Sequence, residues 1–170
     1  AMIDKARENA EKLGFNNVEF RQGDIEKMPV AANRADVIVS NCVLNLVPNK
    51  AGVISEIFRV LKPGAHFSIS DVVLQGELPE TLKKDAEMYA GCVSGAIQMD
   101  EYLSLIKNQG FVNIKIQKQK AINIPNDIFS KYLSIEEINQ FKSGNSGIFS
   151  ITVYAEKPNE NCCSPGSNCC

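Results

Sequence analysis

The residues best suited to chemistry in this chain are its thiols. Of six cysteines in 170 residues, Cys42 and Cys92 stand inside the body of the sequence, whereas Cys162, Cys163, Cys169 and Cys170 crowd its end. A disulfide framework spreads its cysteines to staple loops, and no basic-then-apolar leader opens the sequence, so the thiols read as reduced and the protein as cytoplasmic. Thiolates are ligands for soft centres, which prefer sulfur to oxygen. Two cysteines from separate loops could fix the geometry of such a centre without help from histidine or carboxylate. That suits a chain whose one histidine, His66, falls inside an apolar run and reads as structural. By residue type alone, each inner cysteine also fits the plainer role of a small apolar side chain.

The elements that must position these thiols follow from the flanking pattern. Asp36-Val37-Ile38-Val39-Ser40 is a short, mainly β-branched run that predicts a buried parallel strand, with Asn41 and Cys42 where the strand stops. In open α/β sheets ligands bind beyond the carboxyl ends of strands, which places Cys42 at a working edge. After Pro48, apolar residues at Val53, Ile54, Ile57, Phe58 and Leu61 repeat as one helical face, Lys62-Pro63-Gly64 ends the helix, and Ala65 to Val73 predicts a second strand. Together these make one strand-helix-strand unit.

Upstream, Met2, Ile3, Ala6, Ala10 and Leu13 share one face of a predicted helix that Gly14 stops; a short strand is expected at Asn17 to Arg21 and a polar turn at Gly23 to Pro29. Downstream come a helix from Leu78 to about Ala90, the glycine-flanked break Gly91-Cys92-Val93-Ser94-Gly95-Ala96, and a helix from Met99 or Asp100 to Asn108. Alternation predicts a half-buried antiparallel strand over Phe111 to Ala121. Helical turns follow over Asp127 to Phe141, and a last strand over Ile148 to Glu156 is expected to form a hairpin with it. The division is residues 1–157 as one domain and 158–170 as a cysteine-rich tail.

Composition sets the outer bounds. With 44% hydrophobic and 22% charged residues the chain is long enough and ordinary enough for one soluble domain with a real core. A formal charge of −2 with scattered basic residues gives no footprint for nucleic acid, and no apolar run reaches the length of a membrane span.

Ser40-Asn41-Cys42-Val43-Leu44-Asn45-Leu46-Val47-Pro48, taken together with Gly91-Cys92-Val93-Ser94-Gly95-Ala96, resembles the arsenite methyltransferase family, a resemblance that covers Met2 to Lys157. It implies the Rossmann-like α/β fold of class I S-adenosylmethionine-dependent methyltransferases, here expected to lack its first strands and to end in an antiparallel strand pair. It further implies that Cys42 and Cys92 hold trivalent arsenic, whose lone pair meets the methyl group of the cofactor's sulfonium. Asp24 and Ile25 would contact the adenine of S-adenosylmethionine, and Asn41 would make the contact after the strand. Arsenite or its thiol conjugates and a thiol reductant are the implied partners. Without the resemblance, Gly23-Asp24 is an ordinary turn, and a quinone- or sterol-type methyltransferase or a non-catalytic metalloid-binding module is the alternative.

The departure from the family lies at the front. A glycine-rich loop after a first strand, where backbone N–H groups approach the cofactor, has no counterpart near Met2, and Gly14 is isolated. The chain therefore reads as an N-terminally truncated piece, inactive by itself and prone to self-association through the strand at Asp36 to Ser40. In the tail, neighbouring α-carbons lie about 3.8 Å apart, below the roughly 4.4 Å usual for a disulfide, so pairing within Cys162-Cys163 or Cys169-Cys170 is strained. Those four thiols are left to bind arsenic, zinc or copper(I), or to cross-pair when oxidised.

Overall fold

The computed structural model describes residues 2–76, 93, 95–122 and 146–159. Helix α1 (Met2–Lys12) is followed by strand β1 (Ala35–Asn41), a single 3-10 turn (Leu44–Leu46), helix α2 (Lys50–Val60), strand β2 (Leu61–Gln75), helix α3 (Met99–Asn108) and strands β3 (Val112–Ala121) and β4 (Gly147–Glu156). The four strands form one sheet in the order β1-β2-β4-β3. β1 runs parallel to β2, and β4 lies antiparallel between β2 and β3. The expected strand-helix-strand unit and terminal antiparallel pair are both present.

The helical face read from the sequence is the face that packs. Val53, Ile54, Ile57 and Leu61 are buried against Phe67, Ile69 and Val73 of β2 and against Tyr102, Ile106 and Phe111 at the far side of the core. The Phe111 ring meets both Phe58 and Phe67 edge-on, at centroid separations of 5.0 and 4.9 Å, the geometry aromatic quadrupoles favour. α2 starts at an asparagine cap, with Asn49 Oδ1 accepting from the Gly52 N–H at 3.0 Å, and passes directly into β2 at Leu61. Gly64, at φ +77°, makes the bend in that junction, and Lys157 pins it by donating from Nζ to the Leu61 carbonyl at 2.8 Å. His66 lies in β2 beside the Tyr154 ring, as a structural residue would.

Three expectations need correction. Asn17 to Arg21 forms no strand, because no neighbouring strand among the described residues offers it a ladder; Glu19 and Arg21 pair with each other through their side chains instead. β3 pairs as expected but is almost wholly exposed rather than half-buried, since it is the outer strand, interrupted by two register shifts. On α1 the inner stripe narrows to Ile3, Ala6 and Ala10, while Met2 and Leu13 face outward. The helix expected at Leu78 to Ala90, that at Asp127 to Phe141, Cys92, and all four tail cysteines lie outside the described residues.

Candidate functional site

Cys42 stands one residue past the end of β1, half-buried. Its backbone is in the left-handed region at φ 53°, uncommon for a residue with a Cβ, and its N–H still donates to the Ser70 carbonyl at 2.8 Å. The chain thus turns sharply while tied to β2, which fixes where the thiol leaves the backbone. Asn41, the last residue of β1, pairs with Ser70 and has an exposed side chain.

Beyond Ser70, β2 outruns β1, and two loops take over the vacated edge. Asn45 Nδ2 donates to the Val72 carbonyl at 2.7 Å, and the Leu74 N–H donates to the Ile97 carbonyl at 2.9 Å, with a one-residue parallel bridge from Leu74 to Gln98. Ser40 to Pro48 and the Gly95-Ala96 end of the second motif therefore meet on one edge of β2. The contact is close enough to require glycine: a Cβ on Gly95 would lie 1.8 Å from the Asn45 carbonyl oxygen. Val93, the neighbour of Cys92, is fully buried. Between the loops lies a groove of about 510 Å³ lined by Asn45, Leu46, Val47, Pro48, Lys50, Gly95, Ala96 and Ile97.

The turn at Asp24 is tied to helix α2. Asp24 Oδ1 accepts from the Glu26 N–H at 2.9 Å, closing the turn, and Glu26 Oε2 accepts from Asn49 Nδ2 at 2.9 Å, which ties the turn to the start of α2. The Met28 N–H donates to Glu56 Oε2 at 2.9 Å and holds its far side. Asp24 is exposed, whereas Ile25 packs partly against the core.

A buried polar cluster under this edge was not foreseen. Asp71, 1% exposed on the core face of β2, accepts the Tyr102 hydroxyl proton at 3.0 Å through Oδ2, while its Oδ1 has no partner among the described residues. Burial outweighs the Tyr102 hydrogen bond and the attraction of Lys50, and pushes the carboxyl from 3.8 up to about 6. Lys50 is pulled down by burial, against the opposing pull of Asp71 and Glu101. The sequence carried a signal for this: Asp71 interrupts Ser-Ile-Ser-Asp-Val-Val-Leu, where a carboxylate has no place unless partnered.

The pH consequence has a definite sign. With its folded pKa raised, Asp71 binds a proton in the native chain that the unfolded chain releases between about pH 4 and 6. Its contribution to stability is present below that window and is lost as pH rises through it, by up to about 3 kcal/mol. Asp71→Asn keeps an acceptor for Tyr102 and should gain stability over wild type at pH 7 but not at pH 4. Urea midpoints at the two pH values check this; an equal difference at both would refute it.

The methyltransferase domain family matches residues 1–110. The chain belongs to that family. This methyltransferase domain is 36% identical over 157 residues to the arsenite methyltransferase of Halobacterium salinarum, an overlap of 92% of the chain and 38% of that protein. It is 39% identical over 121 residues to the human arsenite methyltransferase, covering 68% of the chain and 32% of that protein. Among solved structures it is similar to CrArsM, an arsenic(III) S-adenosylmethionine methyltransferase from Chlamydomonas reinhardtii, with TM-score 0.66 and 30% identity over 88% of the chain and 48% of that one. The chain spans about a third of the length of these curated relatives. Among the described residues no three histidine, cysteine or acidic side chains group as a metal site, and no helix is long and apolar enough to cross a membrane.

Proposed function

We propose that this methyltransferase domain serves methyl transfer from S-adenosylmethionine to trivalent arsenic held as thiolate by Cys42 and Cys92. The observation that carries the reading is the meeting of the Cys42-bearing loop with the Gly95-Ala96 end of the second motif on the edge of β2, just past the carboxyl end of β1. Arsenic is substrate here, and a soft centre takes sulfur ligands in preference to the carboxylates nearby.

The cofactor supplies a methyl group on a sulfonium when bound. The residues present fit its adenine end: Asp24 is exposed with one carboxylate oxygen engaged by Glu26, leaving the other for an exocyclic amine, and Ile25 and the exposed Asn41 at the end of β1 are assigned to the same cofactor. In this reading the chain's own work is to orient. The left-handed turn at Cys42 aims its sulfur, and Gly95 lets the second loop close on the first.

The test is a graft of this chain into the H. salinarum relative in place of the 157 residues it matches, incubated with arsenite, a thiol reductant and S-adenosylmethionine. Methylated arsenic is the expected product. Its absence from a folded graft, while the parent enzyme forms it, would count against the reading. The tail thiols Cys162, Cys163, Cys169 and Cys170 are assigned to soft-metal capture, and serine at all four should leave turnover in place.

The 170-residue chain by itself should self-associate. β1 has β2 as its one neighbour among the described strands, and Val37 and Val39 are 51% and 76% exposed. A bare apolar strand edge is a template for another chain. Light scattering under reducing conditions should give a mass above the monomer's, and Val39→Lys should lower it. A monomer at all concentrations would refute this.

A further inference from the structure

Helix α2 grips the Asp24 turn at two places along one stripe. At its amino end Asn49 serves both structures: Oδ1 accepts from the Gly52 N–H at 3.0 Å and caps the helix, while Nδ2 donates to Glu26 Oε2 at 2.9 Å. Two helical turns later, on nearly the same side of α2, Glu56 Oε2 accepts from the Met28 N–H at 2.9 Å. Arg59 completes this second anchor. It forks onto Glu56, donating from Nε to Oε1 and from Nη2 to Oε2, each at 2.7 Å, and Nη2 also donates to the Met28 carbonyl at 3.3 Å. One ion pair thus takes both backbone groups of Met28. The hydrogen bond from Arg59 holds the Glu56 carboxyl below the usual carboxylate range, so the Met28 N–H donates to a charged acceptor. Between the anchors the turn closes on itself, with the Glu26 N–H on Asp24 Oδ1 at 2.9 Å and the Lys27 N–H on the Asp24 carbonyl at 3.1 Å. Those internal bonds suffice to reverse the chain. The bonds from α2 add a fixed place for the exposed Asp24 carboxylate.

Resting on the assignment of Asp24 and Ile25 to the cofactor made above, we infer that Asn49, Glu56 and Arg59 are positioning residues for S-adenosylmethionine, which hold the Asp24 turn in the conformation that receives the adenine. They act through the turn. Asn49 holds Glu26, whose N–H holds Asp24 Oδ1, while the Glu56–Arg59 pair stops the far side of the turn from lifting. A segment ordered before its ligand arrives loses less conformational freedom on binding, so the gain is in affinity for the cofactor. The stripe is itself firmly placed. Val53, Ile54 and Ile57 of the same helix are buried in the core, and α2 follows β1 in the chain and leads directly into β2. The Asp24 turn is thereby fixed to the unit that also carries Asn41 at the end of β1.

The experiment measures S-adenosylhomocysteine binding to the graft described above by calorimetric titration, so the outcome does not depend on the methyl acceptor. Glu56→Ala removes the second anchor, and Asn49→Asp turns the first into a like-charge pair with Glu26. Both leave α2 well formed, since alanine is the strongest helix former and aspartate caps as well as asparagine does. Each variant should bind about tenfold more weakly, and Asn49→Asp should melt with the parent graft. Glu56→Gln, which keeps an acceptor for the Met28 N–H, should recover most of the loss. In the 170-residue chain itself, the Met28 amide should exchange with deuterium faster in Glu56→Ala while the amides of α2 do not. Asp24→Ala is measured alongside, and its weaker binding confirms the assignment on which the inference rests. With that in place, wild-type affinity in Glu56→Ala or Asn49→Asp, weaker binding that comes only with a lowered Tm in Asn49→Asp, or unchanged exchange at Met28 would each overturn the inference alone. Wild-type affinity in Asp24→Ala would overturn the assignment of Asp24 and the inference with it.

Discussion

Serine in place of Cys42 or Cys92 should lower arsenite methylation in the grafted enzyme by more than about 100-fold, a loss of roughly 3 kcal/mol of transition-state stabilisation or more. The exchange changes one atom, sulfur to oxygen, and a serine hydroxyl at neutral pH offers a hard neutral donor where the substrate demands a soft anionic one. At Cys42 the backbone should survive the change. The N–H that bonds Ser70 is untouched, and serine tolerates φ 53° as well as cysteine does. Activity and stability should therefore separate, with product formation lost and the urea midpoint shifted little. Undiminished turnover in either variant would remove arsenic ligation as the role of that thiol. It would favour instead a methyltransferase acting on a quinone or sterol, which needs neither cysteine.

Gly95→Ala should be the most damaging single substitution for the fold of the site. The three atoms nearest to an added Cβ are all backbone atoms of Asn45: its carbonyl oxygen at 1.8 Å, its carbonyl carbon at 2.8 Å and its Cα at 3.2 Å. None can rotate aside as a side chain would, so one loop must lift off the other. Separation threatens the bonds of Asn45 to Val72 and of Leu74 to Ile97, which hold the two motifs on β2. A forced shift of this kind in packed surroundings costs about 2–4 kcal/mol. For a chain of this size that lowers Tm by roughly 4–16 °C. Gly14→Ala is the control: Gly14, unlike Gly95, sits at positive φ, and a Cβ there meets nothing within 4 Å, so its penalty is that of the backbone conformation alone. A Gly95→Ala variant that melts with the wild type would show that the loops do not need this contact.

What the sequence determined by itself was local. The period of Val53, Ile54, Ile57 and Leu61 placed α2, the β-branched run placed β1, and α3 and β4 fell close to where their patterns began and ended. The resemblance carried by the two cysteine motifs named the family before any geometry was known. These signals survive in one dimension because helix and strand periodicities repeat along the chain. Pairing does not. Asn17 to Arg21 has a strand's composition but no neighbouring strand among the described residues, and β3 alternates like a half-buried strand yet lies exposed at the outer edge of the described sheet. Nothing in the sequence told that β2 outruns β1 past Ser70, so that the loops carrying Asn45 and Gly95 meet on its edge. Nor did it tell that the glycine needed there is Gly95 because of a carbonyl 50 residues earlier. Lys50 and Tyr102 read as ordinary helix residues, and Asp71 as a carboxylate out of place in an apolar strand with no partner named. Burial in a common core is what turns them into a coupled polar cluster, since charge and hydrogen bonding strengthen where water is excluded.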